Sequence, residues 1–323
     1  MGFNLEYFFA FLLSYAIAFV LSPRVLAILK SHKLKQEERL EGPESHKAKS
    51  GTPTMGGLIF ITSTIIATLI FARADIGLAV YYLLFIVLFG IIGFADDYVK
   101  VVNKRNLGLT EKQKLVVQII FALILGYLSL VINKANTDLA VPFTSFKLHT
   151  GFLYIPLTAL VIVATTNSVN LTDGVDGLAS SVTAIVMFAF AMIAINFYYV
   201  SLTYFCLAVC GGCLGFLRIN AYKAKCFMGD TGSMALGGAV SAAAIAMNMH
   251  FIIIIIGIIY VIEALSVIIQ VYSFKKFGKR VFKMSPFHHH LELSGYNEIK
   301  VVKTFCVVTL VFSLVGILSV MFI

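Results

Sequence analysis

Long apolar segments separated by shorter polar ones dominate the hydrophobicity pattern of this 323-residue chain. An apolar segment of about 20 residues is long enough to cross the hydrocarbon core of a membrane as a helix. The pattern predicts ten such helices, at residues 3–22, 55–72, 76–95, 115–132, 151–169, 179–196, 198–217, 233–249, 251–271 and 304–322. We therefore expect an all-α integral membrane protein that forms a single domain over residues 1–323.

The composition supports this class. Hydrophobic residues make up 59% of the chain, charged residues only 13%, and the mean hydropathy is +0.93. Soluble domains carry about a quarter charged residues, which is the amount needed to cover a water-exposed surface. The first apolar segment contains Glu6, has no basic residue before it and has no small-residue cleavage site after it. We expect it to be a retained anchor rather than a signal peptide.

The basic residues are distributed very unevenly between the two sides that ten helices would create. All but three of the 25 Lys and Arg residues lie in the segments 23–54, 96–114, 218–232 and 272–303, which fall on one side. The exceptions are Arg73, Lys134 and Lys147. Lys and Arg accumulate on the cytoplasmic side of membrane proteins, so we predict that these segments are cytoplasmic and that both termini are outside. The net charge of +9 then reflects topology, and no nucleic-acid partner is expected.

Two further segments have simple structural interpretations. Short alternating runs around Leu139 and Leu148 predict a small external β-hairpin. Cys210 and Cys213 have the spacing of redox and zinc sites, but they lie inside an apolar segment without a second ligand pair. Packing of small residues between helices is therefore the favoured role for this pair.

Asp96 and Asp97 directly follow the apolar segment 76–95. Adjacent carboxylates repel each other and are costly near hydrocarbon, and a bound cation would relieve both penalties. The simpler alternative is a polar helix end that reaches water. Lys100 lies about one turn further on, so it shares the face of the acids if the helix continues. Two acids beside a base form an arrangement suited to metal-bound phosphate.

The segment from Asn167 to Gly177 is the least ordinary stretch of the chain. Its polar residues recur every three positions, and Gly174 and Gly177 interrupt the helix. The amides of Asn167 and Asn170 suit the donor and acceptor edges of a base or sugar, and Asp173 and Asp176 suit a metal or a ring N–H. A binding or catalytic role is predicted here, because a simple connector does not need these groups.

Two glycine-rich motifs lie beside predicted helix starts. Lys49 and Thr54 flank a turn fixed by Gly51 and Pro53. Asp230 lies between glycines where the helix at 233–249 begins. It is expected either to cap that helix or to form part of a phosphate or metal site.

The polar groups near the C-terminal end of the chain include His288, His289 and His290. Consecutive histidines on a helix cannot all point at one ion, so zinc is disfavoured. A histidine at a phosphate site, acting as hydrogen-bond donor or proton carrier, fits better. Glu263 and Gln270 are expected to be polar groups inside the bundle.

Five of these motifs, which contain the aspartates, the asparagines, the lysines and the histidines, fall on the predicted cytoplasmic side. This distribution favours an enzyme site at the membrane surface over a transporter, because transporters place such groups near the bilayer midplane on broken helices. A purely structural membrane protein would leave the segment 167–177 unexplained. The sequence therefore predicts clustered carboxylates, several cations and base-recognition groups at one membrane surface.

Five motifs carry a resemblance to a known family. They are GTPTMGG, FADDYVKV, NSVNLTDGVDGLA, FMGDTGSMALGG and MSPFHHHLE, and the resemblance spans Lys47 to Glu292. They closely resemble those of the bacterial phospho-N-acetylmuramoyl-pentapeptide transferases, which belong to the polyprenyl-phosphate N-acetylhexosamine-1-phosphate transferases. TPTMGG and the three histidines favour this family over relatives that use UDP-N-acetylglucosamine, which remain the alternative.

The resemblance implies transfer of phospho-MurNAc-pentapeptide from UDP-MurNAc-pentapeptide to undecaprenyl phosphate, with Mg²⁺ as cofactor. It also implies a multi-pass homodimer in the bacterial inner membrane with its active site on the cytoplasmic side. Asp96, Asp97, Asp230 and His288 would be catalytic, and the three aspartates would hold the metal. The residues expected to bind substrate are Lys49, Thr54, Lys100, Lys112, Asn167, Asn170, Asp173, Asp176, Asn220, Phe227, Gln270 and His289.

Overall fold

The computed structural model describes residues 5–31, 51–102, 108–132 and 136–322. Its helices are α1 (Leu5–Ser31), α2 (Gly57–Phe71), α3 (Ile76–Val102), α4 (Glu111–Ile132), α5 (Tyr154–Thr172), α6 (Leu178–Asn196), α7 (Val200–Asn220), α8 (Gly229–Ala246), α9 (Ile252–Ile256), α10 (Ile258–Phe277), α11 (Phe287–Glu292) and α12 (Glu298–Ser319). Two strands, β1 (Asp138–Ala140) and β2 (Lys147–His149), pair antiparallel with Leu139 opposite Leu148.

The predicted all-α membrane fold is confirmed. Within the described ranges, eight helices are long and apolar enough to cross a membrane, namely α1, α3 to α7, α10 and α12. The other two predicted spans are also helical. The apolar helix α2 has 15 residues, and α8 has 18 residues but carries Asp230 in its first turn. The predicted hairpin is present as β1 and β2, and the treatment of 1–323 as one domain stays a prediction.

Several helices extend beyond the apolar segments that predicted them. Helix α3 continues to Val102, so Asp96 and Asp97 lie inside its last turns rather than after its end. Helix α1 passes through Pro23 and ends at Ser31. The span predicted at 251–271 is interrupted at Gly257 and then continues as α10 to Phe277. Hydrophobicity marks where a helix is apolar, whereas its end depends on backbone hydrogen bonding and on the partners of its polar residues.

Helix α8 forms the centre of the bundle. Every residue from Thr231 to Ala246 is buried, and most of these residues are Gly, Ala or Ser. Such small residues let helix backbones approach closely. A Cβ atom on Gly238 would contact the carbonyl oxygen of Phe85 on α3 at 2.5 Å, and one on Gly57 of α2 would overlap Gly232. The neighbouring helices are therefore held at short, fixed distances from α8.

The bundle has two chemically different ends. We call the end where α3, α5 and α7 finish and α8 begins the site end. The opposite end, which carries β1 and β2, is the hairpin end. There the hairpin is attached to the bundle by a hydrogen bond from the backbone N of Ala140 to the carbonyl O of Asn248 (3.0 Å).

Candidate functional site

The site is built where the C-terminal part of α3 crosses the N-terminus of α8. Gly93 lies against the backbone of Asp230 so closely that a Cβ atom would overlap the Asp230 carbonyl group. One turn further along α3, Asp96 and Asp97 are both buried. Glycine at this crossing therefore brings two carboxylates from α3 beside a third carboxylate from α8.

Asp97 caps helix α8 from outside that helix. Its carboxylate accepts hydrogen bonds from the backbone N of Asp230 (3.1 Å), the backbone N of Thr231 (2.9 Å) and Thr231 Oγ1 (2.7 Å). These backbone N–H groups belong to the first turn, where a helix cannot satisfy them itself and where the macrodipole favours negative charge. The capping interpretation of Asp230 is therefore wrong: the α8 N-terminus is capped by Asp97, and the Asp230 side chain points to other partners.

The two glycine-rich motifs, around residues 51–57 and 227–233, are joined by backbone hydrogen bonds. The backbone N of Gly56 donates to Phe227 O (2.9 Å), and the backbone N of Phe227 donates to Pro53 O (2.8 Å). This pairing brings Thr54 to Gly229, where a Cβ atom would lie 2.6 Å from Thr54 Oγ1 and would overlap Asp97. Gly229 also has a φ of 71°, a conformation that favours glycine. Thr54 Oγ1 is buried and has no hydrogen-bond partner among the described residues.

Two lysines face the carboxylates. Lys114 Nζ lies 2.6 Å from Asp230 Oδ2, and Lys100 Nζ lies 3.1 Å from the same oxygen. Lys100 Nζ is also 2.6 Å from Asp96 Oδ2, in an ion pair that is not aligned as a hydrogen bond. The other Asp96 oxygen accepts the backbone N–H of Leu109 (2.9 Å). The prediction that Lys100 shares the face of the acids is confirmed.

Lys114 was missed as a site residue, although it belongs to the same basic segment as the predicted Lys112. Lys112 is exposed, and it lies about 200° around α4 from Lys114. Only the starting point of α4 at Glu111 and its packing against α3 determine which lysine faces inward. The contact with substrate predicted for Lys112 stays a prediction.

The three aspartates fit a hard divalent cation. Carboxylate oxygens of Asp96, Asp97 and Asp230 all lie within 4.8 Å of one another. All the donors are oxygens, as Mg²⁺ prefers. The two lysine ammonium groups leave one carboxylate charge of the three unbalanced within this group. The chemistry of the donor set therefore matches a cation that binds together with phosphate.

The interrupted helix after α5 forms a turn at residues 173–177, directly beside the carboxylates. Gly177 adopts a φ of 75° and is followed by the first residue of α6. Burial raises the pKa of Asp173 well above its usual range, with further contributions from the negative charges of Asp230, Asp97 and Asp176. The side chain of Asn170 is partly buried, and no described residue bonds to it. This turn therefore presents a carboxyl group with a raised pKa and an amide that is available for a ligand.

Other predicted binding residues support the walls of the site. Asp176 is buried and accepts the backbone N–H of Ala224 (2.9 Å). Asn220 Oδ1 accepts from Ser180 Oγ (3.0 Å), and its amide donates to the carbonyl of Cys226. Asn167 Nδ2 donates to Gln118 Oε1 (2.6 Å) between α5 and α4. All three side chains hold neighbouring segments together, and the contacts with substrate predicted for them stay predictions.

The three histidines of α11 point in three different directions, as expected. His288 is buried, and its Nδ1 lies 3.1 Å from Glu263 Oε2 on α10. His289 pairs with Glu292 in its own helix (2.9 Å), and His290 stacks on Phe287. His288 is aimed at the turn 173–177, where a Cβ atom on Gly174 would overlap its Nε2.

Gln270 acts on the segment that precedes these histidines. Its Oε1 accepts the backbone N–H groups of Val281 (3.0 Å) and Phe282 (2.9 Å), and its Nε2 donates to Phe282 O. Glu263 and Gln270 are two turns apart on α10, so one face of that helix holds both residues 281–282 and His288.

Phe227 is partly exposed beside the paired glycine motifs. Lys49 lies outside the described residues.

Comparison with known proteins gives a consistent result. Residues 79–248 match the family model described as glycosyl transferase family 4, and residues 49–61 match phospho-N-acetylmuramoyl-pentapeptide-transferase signature 1. The phospho-N-acetylmuramoyl-pentapeptide-transferase of Clostridium botulinum (strain Alaska E43 / Type E3) is 48% identical over 312 residues, which cover 96% of this chain and 95% of the relative. Relatives of the same name from Halalkalibacterium halodurans and Thermoanaerobacter sp. (strain X514) are 49% and 50% identical, over 95% and 94% of this chain and 95% and 93% of their own lengths.

Proposed function

The chain belongs to the phospho-N-acetylmuramoyl-pentapeptide transferase family, and from that premise we propose that it transfers phospho-MurNAc-pentapeptide from UDP-MurNAc-pentapeptide to undecaprenyl phosphate. The products are UMP and lipid I, an intermediate of peptidoglycan biosynthesis. The observation that carries this proposal is the meeting of Asp96, Asp97 and Asp230 with two lysines at one end of a membrane bundle.

The reaction exchanges one phosphorus–oxygen bond for another. An oxygen of the lipid phosphate bonds to the phosphorus that carries the sugar, and the bond from that phosphorus to the bridging oxygen of UMP breaks. The lipid phosphate is already ionised near neutral pH, so the step does not depend on a strong base. Its main obstacle is repulsion between phosphates, which costs about 4 kcal/mol per charge pair at 4 Å and an effective dielectric constant of 20.

Lys100 and Lys114 supply positive charge against this repulsion. Both ammonium groups are partly buried against the carboxylates, so their charges are less screened than those of surface lysines. Held by Asp96 and Asp230, they are positioned before substrate arrives, and little reorganisation is needed in the transition state. We propose that these two lysines bind the diphosphate of the donor.

We propose Mg²⁺ as the cofactor, held by carboxylate oxygens of Asp96, Asp97 and Asp230. Bound there, the metal would neutralise diphosphate oxygens and stabilise the leaving UMP. Asp97 has a second task, because its three hydrogen bonds fix the N-terminus of α8 and with it Asp230. This division supports Asp96 as the acid that faces the lipid phosphate.

The nucleotide is proposed to bind at the turn 173–177. Asn170 and Asp173 offer an amide and a carboxyl group to uracil and ribose, and Phe227 offers an aromatic face for stacking. Thr54 offers a buried hydroxyl beside Gly229. The remaining residues of the proposed binding set contact the nucleotide directly or hold the walls around it, namely Lys49, Lys112, Asn167, Asp176, Asn220, Gln270 and His289.

The setting in a membrane suits an acceptor with a long lipid tail. A site at one end of an apolar bundle lets the phosphate of undecaprenyl phosphate reach the lysines while its tail stays in hydrocarbon. We propose that the site end faces the cytoplasm in the bacterial inner membrane, because the described parts of the basic segments, with Lys100 and Lys114, lie at this end. A homodimer is proposed from the family resemblance.

The direct test measures UMP release by purified protein in lipid or detergent, with Mg²⁺, a polyprenyl phosphate and one donor at a time. UDP-MurNAc-pentapeptide should give UMP, and UDP-N-acetylglucosamine should give little. Release with UDP-N-acetylglucosamine alone would instead place the chain among the relatives that use that donor. No release with either donor, combined with ion flux in liposomes, would replace the enzyme proposal with a transporter.

A further inference from the structure

Glu263 holds His288 at two points. Its Oε2 lies 3.1 Å from His288 Nδ1, and its Oε1 accepts the backbone N–H of His288 at 3.1 Å. The exposed fractions of the two side chains are 0% for Glu263 and 1% for His288. Burying a carboxylate costs desolvation free energy, so we expect a pair as deeply buried as this one to have a specific role.

The opposite nitrogen of the same imidazole is left without a partner. His288 Nε2 is buried and has no hydrogen-bond partner among the described residues. An unsatisfied buried polar atom costs about 1–3 kcal/mol. This atom is directed at Gly174, where any side chain would collide with the ring. Gly174 lies between Asp173 and Asp176, so the unpaired nitrogen points into the turn where the nucleotide is proposed to bind.

The contacts of Glu263 determine what that nitrogen can do. A carboxylate only accepts hydrogen bonds, so Nδ1 must be the ring nitrogen that donates. In a neutral imidazole the proton on Nδ1 leaves Nε2 as a hydrogen-bond acceptor, as in other carboxylate–histidine pairs. The neighbouring His289 pairs instead with Glu292 of its own helix α11.

We propose that Glu263 is a positioning residue, which locks the tautomer and orientation of His288 so that Nε2 meets the donor nucleotide at the turn 173–177. Glu263 itself touches no substrate in this proposal. Its effect on turnover passes entirely through the imidazole of His288. The inference rests on the proposed transferase function, and it adds to that function a residue that the sequence motifs do not include.

The test begins with Glu263→Gln, which keeps the size of the side chain and its acceptor for the backbone N–H of His288. The amide of the variant donates to Nδ1 and so forces the proton to Nε2. We expect kcat for UMP release to fall by at least about tenfold, as for loss of a residue that orients a catalytic group. The KM for the polyprenyl phosphate should stay within about twofold, since Glu263 does not face the lipid.

Glu298→Gln is the matched control, because Glu298 is another buried glutamate at the site end, in the first turn of α12. It should leave kcat within about twofold of the wild-type value. Equal losses in both variants would show a general effect of removing buried charge and would overturn the proposal, as would wild-type activity in Glu263→Gln.

A double-mutant cycle separates positioning from simple structural support. In a His288→Asn background, Glu263→Gln should cause no further loss, because the imidazole through which Glu263 acts is absent. A loss of the same size in both backgrounds would mean that Glu263 only supports the backbone, and the proposal would fail.

A measurement independent of turnover separates this inference from the proposed function. Nitrogen NMR of selectively labelled histidine should report Nδ1–H for His288 in the wild-type protein and a changed tautomer in Glu263→Gln. An unchanged tautomer would overturn the inference even if the enzyme is active. Absence of UMP release from the wild-type protein would overturn the proposed function while leaving the tautomer result to decide the pair.

Discussion

The two ends of the bundle contain similar polar residues in opposite electrostatic settings. At the hairpin end, neutral side chains form buried hydrogen bonds: Tyr154 OH donates to Asn248 Oδ1 (2.8 Å), and His250 Nε2 lies 2.9 Å from Thr158 Oγ1. At the site end, buried carboxylates and lysines meet within a few ångströms. Neutral pairs satisfy a buried backbone or side chain cheaply, whereas buried charges are expensive. Among the described residues, the cluster of buried carboxylates lies at the site end, as expected of a functional site.

The two buried histidines express this difference most clearly. Burial lowers the pKa of His250 to about 4, and among the described residues no carboxylate pairs with it. His288 has a buried carboxylate, Glu263, at hydrogen-bond distance. The same residue type is therefore a neutral packing group at the hairpin end and the partner of a buried carboxylate at the site end. The chemistry follows from the partner that the fold provides and not from the histidine itself.

The largest difference in the rate of UMP release is expected between variants that remove an acid at the site end and at the hairpin end. Asp230→Asn keeps the shape of the side chain but removes the charge that binds Lys100 and Lys114, so the rate of UMP release should fall by at least about 10³-fold. Asp138→Asn at the hairpin end, where the acid pairs with the exposed His149, should leave the rate unchanged. The measurement is UMP release beside a thermal melt of each variant. Full activity in folded Asp230→Asn would remove Asp230 from the site.

The next largest difference, in stability, is expected between alanine substitutions of two glycines toward opposite ends of α3. A Cβ on Gly93 would overlap Asp230 O and lie 2.6 Å from Thr231 N, so Gly93→Ala must push α3 away from α8. Overpacking of this kind costs about 1–3 kcal/mol and should also separate Asp97 from the helix it caps. Gly77→Ala meets only Asp75 Oδ1 at 3.8 Å and should stabilise the helix by up to about 1 kcal/mol.

Melting temperature and UMP release test the glycine pair together. Gly93→Ala should lower both quantities, and Gly77→Ala should preserve activity with an equal or higher melting temperature. If Gly93→Ala melts normally and remains active, close backbone contact between α3 and α8 is not what assembles the carboxylates.

The sequence predicts the membrane bundle and nearly all the motifs at the site end, because hydrophobic length and clustered polar residues are local properties. It does not predict the separate roles of the individual aspartates. Asp96 and Asp97 are neighbours in sequence, yet only Asp97 caps α8, since that depends on the crossing at Gly93. It likewise does not select Lys114 over Lys112. The partner of Glu263 lies 25 residues away, in a segment whose path only the tertiary structure defines.

The smallest contrast is the pH dependence of stability due to His250. Its pKa is about 4 in the folded protein and 6.5 in an unfolded chain, so above pH 6.5 both states are neutral and its contribution is fully present. As pH falls from 6.5 toward 4, only the unfolded state binds the proton, and stability should decrease by roughly 3 kcal/mol at most. His250→Gln keeps a partner for Thr158 and cannot titrate. Its melting temperature should therefore fall less than that of the wild type between pH 7.5 and 5, with unchanged UMP release at pH 7.5. Parallel melting curves for the two proteins would mean that His250 already accepts a proton in the folded state, and the neutral character of the hairpin end would no longer hold.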